Sequence, residues 1–262
     1  MEEREAVPHY FVDFLDPAED YSAGRFGSEA ENLVEELLQQ EKVPVVVGGS
    51  GLYVKALCEG FIEEPEVDED LKKKVRKKLD KELEQKGIDY LYEKLKEIDQ
   101  PSWEKYSDKN PRRILRALEF YEMTGKEFSQ EHQLQSSKKN FEPLYFGIKF
   151  ERENLYDRIN KRTEKMWQSG LIEETEKALN MGYSPDLNSL NTVGYKECIA
   201  YLLGKMSKAD AIEEMKKNTR RFAKRQLTWF RRVEGMNWLE GSASEIAENI
   251  CNPICNLSMQ NN

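Results

Sequence analysis

The sequence predicts an α/β protein with a parallel sheet, and two observations carry this prediction. Three short apolar runs rich in Val, Tyr and Phe, at residues 7–14, 43–47 and 143–150, are typical of buried strands. Segments with helical spacing of apolar residues separate these runs, at residues 27–41 and from residue 154 onward. An alternation of strands with helices favours parallel strands that are joined by crossover helices.

The rest of the chain is mostly helical in its apolar pattern. Between residues 63 and 139, Val75, Leu79, Leu91 and Leu95 recur at helical spacing in a strongly charged background, which indicates a helical insertion. Further helices are predicted at 154–169, 171–181, 194–203 and 208–232. The expected parts are the first part of the α/β core at 1–62, the helical insertion at 63–139, the second part of the core with the C-terminal helices at 140–242, and a polar tail at 243–262.

Composition and charge narrow the class of protein. Of the 262 residues 39% are hydrophobic, which is enough for a packed core, and the formal net charge is −9. No apolar run approaches the roughly 18 residues needed to cross a bilayer, and the acidic first residues differ from a signal peptide. We expect a cytoplasmic protein in which the four cysteines, including the C-x3-C pair Cys251 and Cys255, have structural or incidental roles. Bulk charge alone argues against a nucleic-acid partner.

A glycine-rich turn follows the second predicted strand, in the sequence VVVGGSGLY at residues 45–53. Glycines let the backbone approach a ligand closely, and the N-terminus of the helix that follows would favour an anion. Gly48, Gly49 and Ser50 are therefore candidate ligand-binding residues. The structural alternative is a tight turn in which Ser50 caps the helix. A phosphate-binding loop of the form G-x-x-x-x-G-K-[ST] does not occur in the sequence.

The segment 216–232, KKNTRRFAKRQLTWFRR, contains eight basic residues and no carboxylate. The other residues therefore carry a net charge of −17, against −9 for the whole chain. At about 100° per residue, one face of a helix is cationic and the opposite face is apolar. We name the cationic face the basic stripe: Lys217, Arg220, Arg221, Lys224, Arg225, Arg231 and Arg232. The apolar face consists of Ile212, Met215, Phe222, Trp229 and Phe230.

Two interpretations of the basic stripe are open. A solvated helix face is the ordinary one, but such faces usually mix charges of both signs. Five of the eight basic residues are Arg, whose planar guanidinium suits bidentate contacts with phosphate, so the favoured interpretation is an anion-binding or nucleic-acid-binding surface. The acidity of the whole chain does not oppose it, because salt screens exposed charges beyond about 8 Å.

Two further groups of arginines are candidates for binding. Arg112, Arg113 and Arg116 gather on one side of a predicted helix start, where internal pairing with a carboxylate is the alternative. Arg158 and Arg162 stand one turn apart after the last predicted strand, at the sheet edge where α/β proteins bind ligands. Ordinary ion pairs are the alternative there. A lysine-rich cluster at residues 72–78 is the weakest of the basic candidates.

In chain order, these segments and several shorter ones resemble the tRNA dimethylallyltransferase family. The resemblance covers about residues 7–240, and its motifs are too many and too well ordered for chance. They are VPH at 7–9, DP at 16–17, YSA at 21–23, VGGSGLY at 47–53, PxRxxRALE at 111–119, TGK at 124–126, LYxRI at 155–159 with Arg162, GL at 170–171, VGYKE at 193–197, and TR at 219–220 with AKRQxTWFR at 223–231.

The resemblance implies a fold, a reaction and partners. The fold would be a P-loop-NTPase-like parallel-sheet core with an inserted helical domain, and the two would clasp a tRNA anticodon stem-loop. The reaction would transfer a dimethylallyl group from dimethylallyl diphosphate to the exocyclic N6 amine of the adenosine adjacent to the anticodon. That adenosine would leave its stack to reach the donor, as in other base-modifying enzymes. Mg²⁺ would assist the diphosphate, and the protein would act as a monomer.

The resemblance also implies site residues at matching positions. Ser50 replaces the family's usual threonine and keeps the hydroxyl at the reaction centre, beside Gly48 and Gly49. Arg162 matches the arginine that faces the donor diphosphate, where it would stabilise charge on the leaving group. The implied tRNA contacts are Lys72, Arg112, Arg113, Arg116, Asn191, Thr192, Val193, Gly194, Tyr195, Lys196, Arg220, Arg221, Lys224, Arg225, Gln226, Thr228, Trp229 and Arg231.

One departure from the family pattern bears on activity. Relatives carry a Walker-type phosphate loop, and an Asp-Ser motif whose Asp is the expected general base, before the position of Val7. Neither is present in these 262 residues, so we expect an N-terminally truncated core without detectable prenyl transfer on its own. One alternative is a remnant of the family that binds tRNA without catalysis. Another is an isopentenyltransferase acting on a free nucleotide, against which the helical insertion and the basic stripe argue.

Overall fold

The computed structural model describes residues 6–61, 67–135 and 139–260 and divides the chain into two units with separate hydrophobic cores. The first unit is the described part of Ser22–Pro143. The second combines the described parts of Met1–Tyr21 and Leu144–Asn262. Within these ranges, no helix has both the length and the apolar character that crossing a membrane requires.

The first unit consists of helices whose ends follow from local sequence. They are α1 Ala23–Gln39, α2 Gly51–Glu59, α3 Glu69–Ile98, α4 Gln100–Lys105, α5 Pro111–Thr124 and α6 Phe128–Gln135. The hydroxyl of Ser22 accepts a hydrogen bond from the backbone N–H of Arg25 at 3.1 Å and caps α1. Asn110 caps α5, Pro111 takes its first position, and Gly125 ends it in the left-handed conformation.

The core of the first unit is formed by helices that lie within residues 69–124. Helix α3 bends at Gly87, which has a φ of 77° that glycine adopts without strain. Both halves of α3 contribute leucines that pack with α5, and these side chains are completely buried: Leu79, Leu91, Leu95, Ile114 and Leu118. Each such side chain contributes roughly 1.5–3 kcal/mol by burial, so this cluster is the main source of the unit's stability.

A buried carboxylate joins three helices of the first unit. Asp99, only 2% exposed, accepts hydrogen bonds from the backbone N–H groups of Ser102 at 3.0 Å and Ser129 at 2.9 Å. Burial raises the pKa of Asp99, but the hydrogen bonds from Ser129 and Ser102 outweigh it and hold this pKa below its usual value. The end of α3 is thereby fixed to the starts of α4 and α6.

The second unit is an α-rich α/β arrangement with a small parallel sheet. Its elements are β1 Tyr145–Ile148, α7 Arg152–Gln168, α8 Leu171–Asn180, α9 Tyr195–Leu202, α10 Lys208–Phe230, β2 Met236–Leu239 and α11 Ala243–Gln260. The two strands pair in parallel, with Tyr145 opposite Met236 and Ile148 opposite Leu239. The parallel sheet and the four predicted helices from residue 154 to residue 232 are confirmed, with ends that differ by one or two residues. Their core is formed by Trp167, Leu171, Cys198, Ala211 and Met215.

Two of the three predicted strands are wrong. Residues 43–47 are not a strand, and Val45 and Val47 are 70% and 90% exposed. Residues 7–14 are also irregular, because Phe11 and Asp13 have φ values of 58° and 53° that interrupt an extended chain. An apolar run becomes a strand only beside a strand that takes up its backbone hydrogen bonds, and the described sheet consists of β1 and β2 alone.

Two elements of the second unit lie where no element was predicted. Strand β2 has only four residues, which is too short for a periodic pattern to be visible. The segment that composition indicates as a polar tail is helical from Ala243 to Gln260. Ser242 and Glu245 exchange hydrogen bonds at its start, with the N–H of Ser242 donating to the Glu245 carboxylate at 2.7 Å. This S-x-x-E capping box is a helix start signal that the sequence contains.

Candidate nucleic-acid interface

Helix α10 carries the basic stripe, and its first half is fixed on the core. The hydroxyl of Ser207 caps the helix by accepting a hydrogen bond from the N–H of Asp210 at 3.2 Å. Ala211 and Met215 are buried on its inner side, and the indole N–H of Trp167 donates to the sulfur of Met215 at 3.1 Å. This packing leaves the cationic side of the helix facing outward.

The first cations of the segment 216–232 are neutralised by carboxylates. The Lys216 ammonium donates to Glu164 and Glu213, each at 2.7 Å, and Lys217 donates to Glu214 at 2.9 Å. The hydrogen bonds that Lys216 donates to Glu164 and Glu213 raise the pKa of Lys216. The alternative interpretation, a solvated face of mixed charge, therefore applies to this end of the stripe.

Arg220 is held between two helices. Its guanidinium donates to the side-chain oxygen of Asn160 on α7 at 2.7 Å and lies 5.9 Å from the ring centroid of Tyr156. The guanidinium of Arg152 lies 5.2 Å from the same ring. The aromatic face of Tyr156 thus attracts two guanidinium groups, and the position of Arg220 is set by contacts within the protein.

The last two turns of the stripe are exposed to solvent. Lys224, Arg225, Arg231 and Arg232 are all exposed, and none of them forms a salt bridge with another described residue. Arg221 is exposed as well, and its charge contributes to the lowered pKa of Glu214, after Lys217. The unneutralised positive charge of α10 is therefore concentrated toward its C-terminus.

The predicted apolar face of α10 is buried only in its first half. Phe222 and Trp229 are 43% and 41% exposed, because the core of the unit covers the helix around Met215 but not its later turns. Trp229 lines an open cavity of about 240 Å³. The other lining residues are Lys224, Arg225, Thr228 and Arg232. An exposed indole among cationic groups is suited to stacking on the base of a nucleotide while the cations contact the phosphates of the backbone.

The segment 191–196 comprises the four residues before α9 and the first two residues of that helix. Asn191 and Thr192 are exposed, Gly194 is buried, and Lys196 is exposed. Val193 and Tyr195 pack against the core, and the hydroxyl of Tyr195 donates to the carboxylate of Glu174 on α8. Asn191 is therefore accessible to a partner, whereas the hydroxyl of Thr192 donates to the backbone oxygen of Ser189 at 3.1 Å and the hydroxyl of Tyr195 is bonded to Glu174.

Side-chain contacts fix the loop that precedes this segment. The hydroxyl of Tyr183 donates to the Asp16 carboxylate at 2.7 Å, and the hydroxyl of Ser189 donates to the backbone oxygen of Pro17 at 2.7 Å. The first of these hydrogen bonds lowers the pKa of Asp16. Two motifs that lie far apart in sequence, DP at 16–17 and VGYKE at 193–197, are thus connected through residues 183–189.

In the first unit, the glycine-rich turn leads into α2 without a preceding strand. Ser50 occupies the N-cap position, but its hydroxyl makes no capping hydrogen bond, so the side-chain cap that was the alternative is not observed. Its backbone oxygen accepts from the N–H groups of Tyr53 and Val54. Ser50 and Gly48 are exposed, and a side chain added at Gly48 would meet no atom within 4 Å. The Ser50 hydroxyl is therefore accessible to a ligand.

The arginines at the start of α5 differ in their surroundings. Arg112 is exposed on the first turn, and Arg116 is half-buried one turn later. Arg113 lies 3.4 Å from the carboxylate of Asp108, in a salt bridge that is more than half exposed on both sides. Such exposed pairs contribute little to stability and exchange readily for another anion, so the predicted phosphate contacts at these positions are compatible with the structure.

Half of the basic residues in the lysine-rich cluster at 72–78 form ion pairs with described carboxylates: Lys72, Arg76 and Lys78. Lys72 donates to Glu69 at 2.6 Å, and Lys78 donates to Glu122 at 2.8 Å. Lys94 also donates to Glu122, at 2.8 Å. Burial raises the pKa of Glu122, but the hydrogen bonds from Lys78 and Lys94 outweigh it and lower this pKa. Lys72 and Lys78 are thus paired with carboxylates of this unit, and a phosphate contact by Lys72 stays a prediction.

Arg162 is exposed on α7 in the second unit. It forms no salt bridge with any residue of the described ranges. Arg158, one turn earlier, places its guanidinium 4.7 Å from the ring centroid of Phe150. Ion pairing, the alternative for these two arginines, is thus not observed in the described part of the chain, and the Arg162 guanidinium can face an anion.

The candidate residues do not fit a Mg²⁺ site built by the protein. Those implied at the reaction centre, Gly48, Gly49, Ser50 and Arg162, provide no carboxylate. Among the described residues, no three His, Cys, Asp or Glu side chains are placed to hold a metal ion. Mg²⁺ prefers carboxylate, phosphate and water oxygens. We therefore assign no Mg²⁺ ligand in this chain.

The fold and these surfaces define an α-rich α/β protein with a small parallel sheet and an exposed cationic helix. The model of a family described as IPP transferase matches residues 1–233. The chain belongs to this family, and the resemblance found from the motifs is confirmed.

Named relatives and solved structures agree with this assignment. The chain is 41% identical over 254 residues to the tRNA dimethylallyltransferase of Acetivibrio thermocellus, covering 95% of this chain and 79% of the relative. It is 45% identical over 240 residues to that of Christiangramia forsetii, covering 91% and 77%. The crystal structure of a tRNA delta(2)-isopentenylpyrophosphate transferase from Staphylococcus epidermidis matches with a TM-score of 0.65 at 36% identity, covering 97% of this chain and 83% of that one. A eukaryotic dimethylallyltransferase acting on tRNA matches with a TM-score of 0.77 at 27% identity, covering 98% and 67%.

Two residues of this region are missing from the contacts that the family resemblance implies. Arg232 lines the cavity beside Trp229, although the family motif ends at Arg231. Glu197 is 2% exposed, and its two carboxylate oxygens accept hydrogen bonds from the N–H of Gly194 and the side-chain amide of Asn218. The sequence indicates Glu197 only through its position at the third residue of a helix, which is typical of a capping glutamate.

Proposed function

We propose that this protein is a tRNA dimethylallyltransferase. It transfers the dimethylallyl group of dimethylallyl diphosphate to the exocyclic N6 amine of the adenosine adjacent to the tRNA anticodon. Membership of the IPP transferase family and the names of relatives at about 40% identity support this reaction. The structural observation that supports an RNA partner is the exposed end of α10, where cations without a salt bridge to a described residue lie around Trp229.

The RNA-binding part of the proposal rests on charge and stacking. Lys224, Arg225, Arg231 and Arg232 offer positive charge that no described carboxylate neutralises, which suits the phosphates of a stem-loop. Trp229 offers an aromatic face to an unstacked base, and such stacking is worth roughly 1–3 kcal/mol per base. The net charge of −9 does not oppose RNA binding, because the positive charge is local.

At the reaction centre, the proposed roles follow from the accessible groups. As the carbon–oxygen bond of the donor breaks, diphosphate leaves with the electron pair, and the adenosine nitrogen forms a bond to the same carbon and loses a proton. The exposed guanidinium of Arg162 would stabilise the charge on the leaving diphosphate. The accessible hydroxyl of Ser50 would contact the reacting groups by hydrogen bonding. No residue of this chain is assigned as the base that takes the proton.

The proposal also covers the fold class, the oligomeric state, the compartment and the metal ion. We place the core in the P-loop-NTPase-like class, and we propose that the protein works as a monomer in the cytoplasm on the anticodon stem-loop. Mg²⁺ would accompany the donor diphosphate, since a divalent cation offsets the charge of a diphosphate group. These features come from the family resemblance.

A second candidate is tRNA binding without transfer. It rests on the exposed cations around Trp229, which support RNA binding without implying transfer. The basic stripe and the segment 191–196 would then bind the stem-loop as they do in the first candidate. The two candidates therefore differ in chemistry and agree on the RNA.

One experiment separates the two candidates. The protein is incubated with labelled dimethylallyl diphosphate and an anticodon stem-loop, and both RNA binding and label transfer are measured. A matched stem-loop with guanosine in place of the target adenosine is the control. Transfer to the adenosine stem-loop but not to the guanosine control supports the enzyme. Binding without transfer supports the second candidate, and absence of binding contradicts both.

A further inference from the structure

A buried carboxylate connects two of the segments that are proposed to bind RNA. Glu197, on the first turn of α9, is 2% exposed. One of its oxygens accepts a hydrogen bond from the backbone N–H of Gly194 at 2.7 Å. Its other oxygen accepts from the side-chain amide of Asn218 at 2.8 Å. Gly194 belongs to the segment 191–196, and Asn218 lies on α10 within the segment 216–232.

The backbone around Gly194 explains why this connection is specific. Gly194 has a φ of 110°, and a side chain added there would lie 3.4 Å from the terminal carbon of Met215 on α10. Glycine therefore lets the turn approach α10 closely. The N–H of Gly194, at the start of α9, has no acceptor in the backbone of the helix. The side chain of Glu197, at the third helical position, accepts its hydrogen bond.

A buried carboxylate is a costly way to satisfy two neutral donors. Removing a carboxylate from water is unfavourable unless hydrogen bonds or opposite charge compensate it. The compensation here comes from Gly194, from Asn218, and from the ammonium of Lys196 at 3.7 Å. One donor comes from the segment 191–196 and the other from α10, so the carboxylate is a polar link between these two segments.

We propose that Glu197 is a positioning residue for RNA binding, which holds the segment 191–196 against α10 so that both present one preorganised surface. This inference rests on the proposed function, because it assumes that both segments contact RNA. Preorganisation raises affinity by removing the entropy cost of ordering a segment during binding. Glu197 itself touches no RNA, since its side chain is buried.

The experiment measures the affinity of the full chain for an anticodon stem-loop at a temperature below the unfolding of every variant. We expect Glu197→Ala to raise the dissociation constant about tenfold, which corresponds to about 1.4 kcal/mol of binding free energy. Asn218→Ala removes only the contact on α10 and should raise it in the same direction but less. Glu197→Gln keeps an acceptor for Gly194 and should recover most of the affinity.

A double-mutant cycle and a matched control separate positioning from mere stability. If Glu197 acts through Asn218, the double variant Glu197→Ala/Asn218→Ala binds RNA no more weakly than Glu197→Ala alone. Thr175→Val is the control, because Thr175 is completely buried in the same unit and its hydroxyl donates to the backbone oxygen of Leu171 at 2.7 Å. It should lower the unfolding temperature and leave RNA affinity unchanged.

The outcomes distinguish this inference from the proposed function. If the unaltered chain binds RNA and Glu197→Ala changes affinity no more than Thr175→Val does, the positioning role is refuted. Additive effects of the two alanine substitutions would refute it as well. If the unaltered chain does not bind the stem-loop, the proposed function fails, and the inference that rests on it fails too.

Discussion

The hydroxyl of Tyr195 donates a hydrogen bond to the carboxylate of Glu174, which joins the first turn of α9 to α8. This bond, together with burial, raises the pKa of Tyr195 to about 12. The interaction fixes the end of the segment 191–196, and Tyr195 lies two residues before Glu197. Both contacts hold the same turn, one from the side of α8 and the other from the side of α10.

The raised pKa of Tyr195 predicts a loss of stability at alkaline pH. A tyrosine ionises near pH 10 in the unfolded chain, and about pH 12 here, so the folded state is favoured fully below pH 10 and loses this contribution as the pH rises to about 12. Thermal unfolding of the protein and of Tyr195→Phe, followed from pH 8 to pH 12, should show a difference that shrinks across this window. A difference that is constant with pH would contradict the prediction.

The exposed end of the basic stripe predicts the salt dependence of RNA binding. Each phosphate contact contributes roughly 0.7–0.9 to the slope of log affinity against log salt concentration. Lys224→Ala/Arg225→Ala should therefore flatten this slope by about 1.5 units, because two counterion-releasing contacts are lost. Lys216→Ala/Lys217→Ala removes equal charge from residues already bonded to carboxylates and is the matched control. Equal changes of the salt slope in the two double variants would indicate that the whole basic stripe is a solvated helix face.

We expect Trp229 to contribute to RNA affinity by stacking, and this contribution should not depend on the salt concentration. Trp229→Ala should weaken stem-loop binding by roughly 1–3 kcal/mol, because a stacking surface is lost, and leave the salt slope unchanged. Phe222→Ala is the control, since Phe222 is exposed to a similar degree on the same helix and does not line the cavity. Binding isotherms at several salt concentrations test this, and similar losses for both variants would exclude a specific role for the cavity.

We expect substitution of Arg162 to lower turnover much more than RNA affinity. In a form of the protein that shows transfer, Arg162→Ala should lower turnover by about 10²–10³, as expected for a group that stabilises a developing negative charge. Its unfolding temperature should not change, because the side chain is exposed and forms no salt bridge in the described ranges. Lys161→Ala, at the exposed neighbouring position, is the control. Equal losses of turnover and RNA affinity would assign Arg162 to RNA binding.

Gly27 predicts a stability defect in the first unit. A side chain added at Gly27 on α1 would lie 2.9 Å from the backbone oxygen of Ala56 on α2. Alanine favours the helix by about 1 kcal/mol relative to glycine, but overpacking costs about 1–3 kcal/mol, so Gly27→Ala should be destabilising. Gly48→Ala, which meets no atom, is the control for denaturant unfolding. An increase in stability for Gly27→Ala would show that the two helices can separate without cost.

The prediction of strands failed where it depended on a distant partner. Residues 43–47 have the composition of a buried strand, yet Val47 is 90% exposed, because β-composition specifies a strand only in the presence of a neighbouring one. Residues 143–150 were correctly predicted in part, since β2 lies beside Tyr145–Ile148. Strand pairing joins positions about 90 residues apart, and no local pattern contains that information.

The candidate site shows the same division. The motif AKRQxTWFR and the helical spacing around it identified the exposed cations of α10 correctly. The neutralisation of Lys216 by Glu164 involves a residue 52 positions away on another helix, and the sequence contains no local indication of it. The burial of Glu197 beside Asn218 likewise follows from the packing of α9 on α10.

The sequence by itself determined the helices, their caps, the family and the positions of the cationic and aromatic residues. These features depend on neighbours within about four residues or on ordered motifs, which can be seen in the chain directly. Only the tertiary structure decided which cations stay unpaired, which apolar residues stay exposed, and which carboxylate joins the segment 191–196 to α10. Such pairings depend on the packing of distant segments, because the free energy of a charge is set by all the groups around it.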